Sequence, residues 1–312
     1  QIRRLGASCD WAKERFTLDS GMSRSVSDAF KILHDRGLIY RGVRMVNWSP
    51  KLRTAVSDIE VEHVVKSNGK LFFFSYPVPP PSLSGEIDGG DKAYADWDSL
   101  PVATTRPETI IGDVAVAVNA NDTRYQRMIG RFAVNPITGR KIPIIADAAV
   151  STEFGTGAVK ITPAHDVNDF EMAKRHDLPL SARIFTDSAT TRSDGESVVP
   201  RRFQGLDRYV CRRAVWRELQ AKNLTIKVES HAHSLPCSQR GGEVIEPMLS
   251  QQWYLNTTSL ARKARATVLE QRLRFVPERF TSTFVRWMEN LQDWCISRQL
   301  WWGHRIPVWY IP

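Results

Sequence analysis

Cysteine is scarce in this sequence. Cys9, Cys211, Cys237 and Cys295 are widely scattered, and no two form a C-x-x-C pair. That density excludes a disulfide-built scaffold, argues against a Cys-rich zinc knuckle and points to a reducing, cytoplasmic compartment. His231, His233 and Cys237 lie close in sequence, but no fourth ligand is evident, so no metal is assigned. Long apolar runs are missing as well. No stretch approaches the ~18 apolar residues of a membrane helix, so no membrane partner is expected. The opening residues, Gln1-Ile2-Arg3-Arg4-Leu5, have neither the apolar core of a signal peptide nor an initiator Met, and a fragment or processed chain is expected. No Ser-His-Asp or Cys-His set of the nucleophilic hydrolases is apparent.

What is present fits a globular chain of about two domains: 312 residues, 42% hydrophobic and 25% charged. The charge is uneven. Residues 1–75 carry 13 basic and 8 acidic side chains, residues 76–236 carry 20 of each, and residues 237–312 carry 10 and 6. The excess of +9 thus sits in the two ends, where a basic surface suits a polyanion or is simply a solvated face. These blocks are the expected divisions: a flank over 1–75, a central domain over 76–236 and a returning flank over 237–312.

Periodicity and turn chemistry give the elements. A helix is expected over 22–36, with apolar Val26, Ala29, Phe30 and Leu33 and a stop at Gly37. Strands are expected over 38–40, 43–48, 59–65 and 71–74, the last ended by the prolines of 77–81, followed by an exposed Ser/Gly/Asp-rich loop over 82–99. Further strands are expected over 102–105, 114–118, 132–134 and 141–146, with an Asn135-Pro136-Ile137-Thr138-Gly139 turn between the last two. A helix over 206–222 would place Leu206, Val210, Ala214 and Leu219 near one face. Arg201, Arg202, Arg208, Arg212, Arg213 and Arg217 crowd the same region. Arginines favour phosphate contacts, but surface helices are often arginine-rich. Beyond a strand over 246–254 and a helix over 259–271, Trp287, Trp294, Trp301, Trp302 and Trp309 read as core or interface aromatics. Many short strands with few long helices give an α/β (α+β) class, expected as a barrel-like β core with peripheral helices and flanking helix/strand stalks.

Two stretches carry the chemistry. One is Thr104-Thr105-Arg106-Pro107-Glu108-Thr109. The other is Gly155-Thr156-Gly157-Ala158-Val159-Lys160-Ile161-Thr162-Pro163-Ala164-His165-Asp166-Val167-Asn168-Asp169-Phe170-Glu171. In the second, a short strand is broken by Pro163. Asp166 then caps a helix, because its carboxylate can accept the orphan N–H groups of the first turn. Asp169 falls three positions on, on the same face. Lys160, Thr162, His165, Asp166 and Asp169 are thereby expected at one edge. Capping alone would also explain the acidic pair, and Glu108 could equally serve a helix N-terminus.

These paired stretches resemble the signature of the editing domain of class I aminoacyl-tRNA synthetases. The Lys160-Ile161-Thr162-Pro163 form resembles the valyl branch, whereas the isoleucyl and leucyl branches share the Gly-Thr-Gly and the helix-opening Asp without this Lys-x-Thr pairing. Asp10-Trp11-Ala12-Lys13-Glu14-Arg15-Phe16-Thr17, Val46-Asn47-Trp48-Ser49-Pro50 and the run from Trp294 to Pro307 also resemble that branch, so the likeness covers nearly the whole chain. The two signatures that handle ATP in this class, His-Ile-Gly-His and Lys-Met-Ser-Lys-Ser, are absent. No cofactor is expected here, although full-length members use ATP and Mg. The Cys237 region carries zinc-binding cysteines in relatives, but here Ser238, Gln239 and Arg240 follow.

The resemblance implies hydrolysis of the ester of threonine mischarged on tRNA(Val). Lys160, Asp166 and Asp169 would be catalytic, with Asp166 on the substrate's α-ammonium and Thr162 beside its side chain. Arg106 and Thr109 would line the opposite wall, Phe154 would stack on the terminal adenine, and His165 and Glu171 would be secondary contacts. Arg208, Arg212 and Arg213 are expected to bind the tRNA acceptor end. The partners implied are that acceptor end and the rest of a synthetase chain, in a monomer. A non-catalytic tRNA-binding module and a leucyl- or isoleucyl-type editor are the alternatives.

Overall fold

The computed structural model describes residues 1–80, 94, 96–180, 183–193 and 198–311. The chain begins with helix α1 (Ser20–Asp35), capped by Asp19, whose Oδ1 accepts the Met22 N–H at 2.7 Å. That cap starts the helix two residues before the apolar pattern does. Strand β1 (Ile39–Ser49) joins the two strands expected over 38–48 into one. It is followed by β2 (Thr54–Val56) and β3 (Val61–Lys66), then β4 (Lys70–Val78) and β5 (Asp98–Thr104). β4 runs past its expected end because Pro77 costs no ladder bond. The Ser75 N–H donates to Leu224 O at 2.8 Å, and a donor two residues on would face the same side, beyond the start of β10 (Thr225–Ser230). The loop expected over 82–99 falls mostly outside the described residues, and its last part, Asp98 and Ser99, is strand.

The central strands are β6 (Ala115–Val118), β7 (Phe132–Val134), β8 (Lys141–Ala146) and β9 (Ala158–Ile161). β6 pairs parallel with β8 and antiparallel with β9, and all four of its residues are buried. A strand covered on both faces needs an unbroken apolar run, and this sequence has one. Helix α2 (Val167–Arg175) follows β9. Helix α3 (Arg208–Ala221) starts at the Asp207 cap and buries Cys211, Val215 and Leu219. The buried stripe is therefore centred one position away from that expected: Val210 is exposed, while Leu206 and Ala214 pack at the margin. Next come β10, β11 (His233–Ser238), β12 (Glu246–Leu255), α4 (Thr258–Leu269), α5 (Phe280–Glu289) and β13 (Trp294–Cys295).

The chain divides into two compact units. The larger, Val43–Ser250, holds a sheet in the order β7-β8-β6-β9, a sheet β10-β4-β5 and the pair β11-β3. Phe74, Tyr76, Val78, Leu100, Val102, Ile110 and Ile144 form its main core. The class is mixed α+β. The barrel-like core is not found: among the described residues the strands form separate sheets and none closes. β5 packs beside β9 without laddering, and β9 ends at Ile161, before Pro163, which has no N–H to extend it.

The smaller unit is Gln1–Gly42 with Gln251–Pro312. Phe30 meets Trp253 edge to face at 5.8 Å, Tyr40 stacks on Tyr254 at 5.6 Å, and the Tyr40 hydroxyl donates to Asp293 Oδ2 at 2.6 Å. Of the two places expected for the five tryptophans, core or interface, the core is excluded: all five are more than half exposed. Among the described residues no helix is long and apolar enough to cross a membrane.

Candidate functional site

The turn from β9 to α2 is held by its own side chains. Asp166 Oδ1 accepts the Asn168 N–H at 2.8 Å and the Asp169 N–H at 3.1 Å. Asp169 Oδ2 reaches back to accept the Thr162 N–H at 2.8 Å. Before β9, Gly157 sits at φ 79°, and a Cβ there would come 2.8 Å from Asp122 Oδ2. The strand, turn and helix end therefore gather Lys160, Thr162 and Asp169 in a buried group and leave Asp166 exposed at its mouth.

A residue that was not anticipated organises this group. Asp113 is fully buried and takes three donors. Its Oδ1 accepts Lys160 Nζ at 3.0 Å and the Thr162 hydroxyl, and its Oδ2 accepts the Tyr76 hydroxyl. Lys160 also donates to Thr162 Oγ1. Burial pushes the Asp113 carboxyl up, while Lys160, Thr162 and Tyr76 oppose that shift. Burial, with the Asp113 charge, lifts the Tyr76 phenol well above its ordinary range, so it stays a donor. Burial and the neighbouring Asp166 charge push Asp169 up to about 7.

The Thr-Thr-Arg-Pro-Glu-Thr stretch meets this group through an ion-pair chain. Arg106 Nη1 donates to the backbone carbonyl of His165 at 3.0 Å, and its other nitrogens reach Glu246 and Glu108. Arg212 grips Glu108 with two bonds of 2.7 Å. Arg208 donates to Glu246 Oε2 at 2.9 Å and to Val244 O at 2.7 Å. Burial pushes the Glu246 carboxyl up, but Arg106, His165 and Arg208 outweigh it and hold the group well below the usual carboxylate range. The His165 ring is inside. Its Nε2 accepts the Ile184 N–H at 3.0 Å, so Nδ1 carries the proton and faces Pro247 O and Glu246 Oε1, each at 3.3 Å. Burial lowers the His165 pKa and keeps the ring neutral.

Asp166 and Arg106 open on a cleft of about 530 Å³, whose walls include Lys66, Lys70, Phe72 and Arg212. The remaining anticipated residues lie as follows. Thr109 is buried and its hydroxyl donates to Arg106 O at 2.9 Å. Phe154 is 62% exposed, with its ring 6.1 Å from His231. Glu171 is exposed and pairs with Lys174 at 3.2 Å. Arg208 is buried against Glu246, Arg212 is held by Glu108, and Arg213 is exposed without an ion-pair partner among the described residues. His231 and His233 stack on one another, and among the described residues no group of three or more His, Cys, Asp or Glu is arranged to hold a metal ion.

The family model for "tRNA synthetases class I (I, L, M and V)" matches residues 1–312. The chain belongs to this family. It is 49% identical to the valine--tRNA ligase of Francisella tularensis subsp. tularensis (strain SCHU S4 / Schu 4) over 310 residues, which are 99% of this chain and 31% of that protein. This class I synthetase chain thus spans less than a third of the length of the relative it matches.

Within the synthetase chain, four site residues escaped the sequence reading of their roles: Tyr76, Glu108, Asp113 and Glu246. Asp113 left a signal. It is the only charge in the apolar run from Ile110 to Val118, and a lone carboxylate there must find a buried partner. Glu108 is a buried ion-pair partner rather than a cap. Glu246 and Tyr76 left none, since only the packing of β12 and β4 reveals what they face.

Proposed function

We propose that this chain is the editing part of a valine–tRNA ligase, hydrolysing the ester of threonine mischarged on tRNA(Val). What supports the reading is the meeting of the two signature stretches: Arg106 bonds to the backbone of His165, 59 positions away, beside a cleft where one carboxylate, Asp166, remains exposed. In this reading residues 76–236 form the editing domain, and the flanks connect it to the rest of the synthetase chain.

Asp166 takes the substrate's α-ammonium, since it is the exposed acid at a helix start. Arg106, fixed by Glu108, Glu246 and His165 O, borders the ester. An aminoacyl ester is already activated, so the site has only to hold it and place a water. Asp169, with a proton affinity near neutrality, is the carboxyl suited to accept that water's proton. Selectivity follows from the Lys160–Thr162–Asp113 group. A threonine hydroxyl can join its hydrogen bonds, whereas a valine methyl offers that polar group neither a donor nor an acceptor.

The test is initial deacylation of Thr-tRNA(Val) and Val-tRNA(Val) against a buffer blank. Cleavage of the threonyl ester alone is expected. Equal cleavage of both removes the specificity, and cleavage of neither favours a non-catalytic tRNA-binding module.

A further inference from the structure

The 151–157 loop leads into β9 and carries the exposed ring of Phe154. It lies beside both stretches of the site. Gly157 is followed by the strand that brings Lys160, and a Cβ at Gly155 would lie 3.4 Å from the Ala103 side chain, one residue before Thr104. The ring itself is 6.1 Å from His231, which stacks on His233 in the cleft wall. Nothing in the site described above accounts for how this loop is held.

The loop makes local bonds of its own: the Phe154 N–H donates to Ser151 Oγ at 3.3 Å, and the Gly157 N–H donates to Phe154 O at 3.1 Å. The turn after β6 ties it to the rest of the larger unit. Asn119 Nδ2 donates to Val150 O at 2.8 Å, Arg124 Nη2 to Thr152 O at 2.8 Å and the Tyr125 hydroxyl to Thr156 O at 2.6 Å. The last two grip the backbone on either side of Phe154. Arg124 can serve as a strut because buried Asp122 orients it: its Nε and Nη2 reach the two oxygens of that carboxylate at 2.8 and 2.6 Å. The guanidinium fills the space over Gly157, where a Cβ would come 2.3 Å from Nη2. Tyr125 is buried, so packing around its ring holds the hydroxyl in place. Fixing the backbone on both sides of a contact residue removes part of the ordering cost that binding would otherwise carry.

We propose that Arg124 and Tyr125 are positioning residues: they hold the 151–157 loop so that the Phe154 ring is set in its binding position before substrate arrives. Neither side chain touches the substrate, and both act through the ring. The inference rests on the editing reading, in which that ring meets the terminal adenine.

The experiment compares the full 312-residue chain with R124M, Y125F, F154A and R124M/F154A. Amide hydrogen exchange over 152–157 in the substrate-free proteins is expected to quicken in R124M, and less so in Y125F, while β6 and β8 keep their protection. Exchange equal to that of the parent chain would overturn the positioning role. In Thr-tRNA(Val) deacylation, R124M is expected to raise KM about tenfold and to leave kcat within about twofold, because the ring meets a part of the substrate remote from the ester. R124M/F154A should be no worse than F154A, since Arg124 acts through the ring. Additive losses, or a fall in kcat alone, would overturn the proposal. If R124M does not fold, Y125F, alone and combined with F154A, carries the same comparison with the loss of a single hydroxyl. Absence of deacylation by the parent chain counts against the editing reading, while hydrogen exchange still decides whether the turn holds the loop.

Discussion

Asp113 is the counter-charge of Lys160, and replacing it with asparagine tests how much the buried group depends on that charge. The substitution keeps the side-chain volume and an oxygen to accept from Lys160. It removes only the negative charge, from a position with no exposure, facing an ammonium whose side chain is 9% exposed. Removing one partner of a buried pair costs about 3–5 kcal/mol, because the other charge remains without compensation. Thr162 Oγ1 still accepts from Lys160, which argues for the lower end, about 3 kcal/mol. For a unit the size of Val43–Ser250, that corresponds to a fall in Tm of roughly 6–12 °C. Urea unfolding of D113N, K160M and the double variant forms a double-mutant cycle. The double variant should be more stable than D113N alone, since it carries no stranded ammonium. A loss below about 1 kcal/mol for D113N, or no recovery in the double variant, would refute the argument that this pair holds the site together.

Other consequences are separable. Asp169 ordinarily ionises near 3.8 and is pushed up to about 7 in the fold, so its protonated form is favoured by folding. Its contribution is full below pH 3.8 and is lost as pH rises through about 7. The stability of D169N relative to the parent should therefore increase across that window, and a flat difference would contradict the burial argument. R212A should lower stability by leaving the buried Glu108 carboxylate with only its 3.3 Å contact to Arg106, whereas R213E should leave the melting temperature alone and weaken tRNA binding at low salt. Equal effects of the two changes on melting would mean that their different surroundings do not matter. Valine-dependent ATP–pyrophosphate exchange should stay at blank level, because neither ATP signature occurs in the chain; exchange above blank would contradict this.

The parts of the fold legible in the sequence are those fixed by local chemistry. Asp166 caps its helix where its position after Pro163 indicates, and Phe132–Val134 and Lys141–Ala146 form strands on either side of an Asn-Pro-Ile-Thr-Gly turn. What stayed hidden depends on distant packing. The sequence leaves Lys160 with no evident partner, because Asp113 is 47 positions away and meets it only through the pairing of β6 with β9. Arg208 and Arg212 look like phosphate ligands from composition, but Glu246 and Glu108 claim them from other elements. The tryptophans 287–309 mislead for the opposite reason: size alone predicts burial in a core, and each of these side chains is more than half exposed.

The editing reading is tested most directly by deacylation of Thr-tRNA(Val) and Val-tRNA(Val) by the parent chain and by D166A, with melting curves on both proteins. Losing the cap should cost only about 0.5–2 kcal/mol, so D166A is expected to remain folded. The account predicts cleavage of Thr-tRNA(Val) by the parent, sparing of Val-tRNA(Val), and loss of the threonyl activity in folded D166A. Full threonyl activity in D166A, or no activity in the parent, would contradict it.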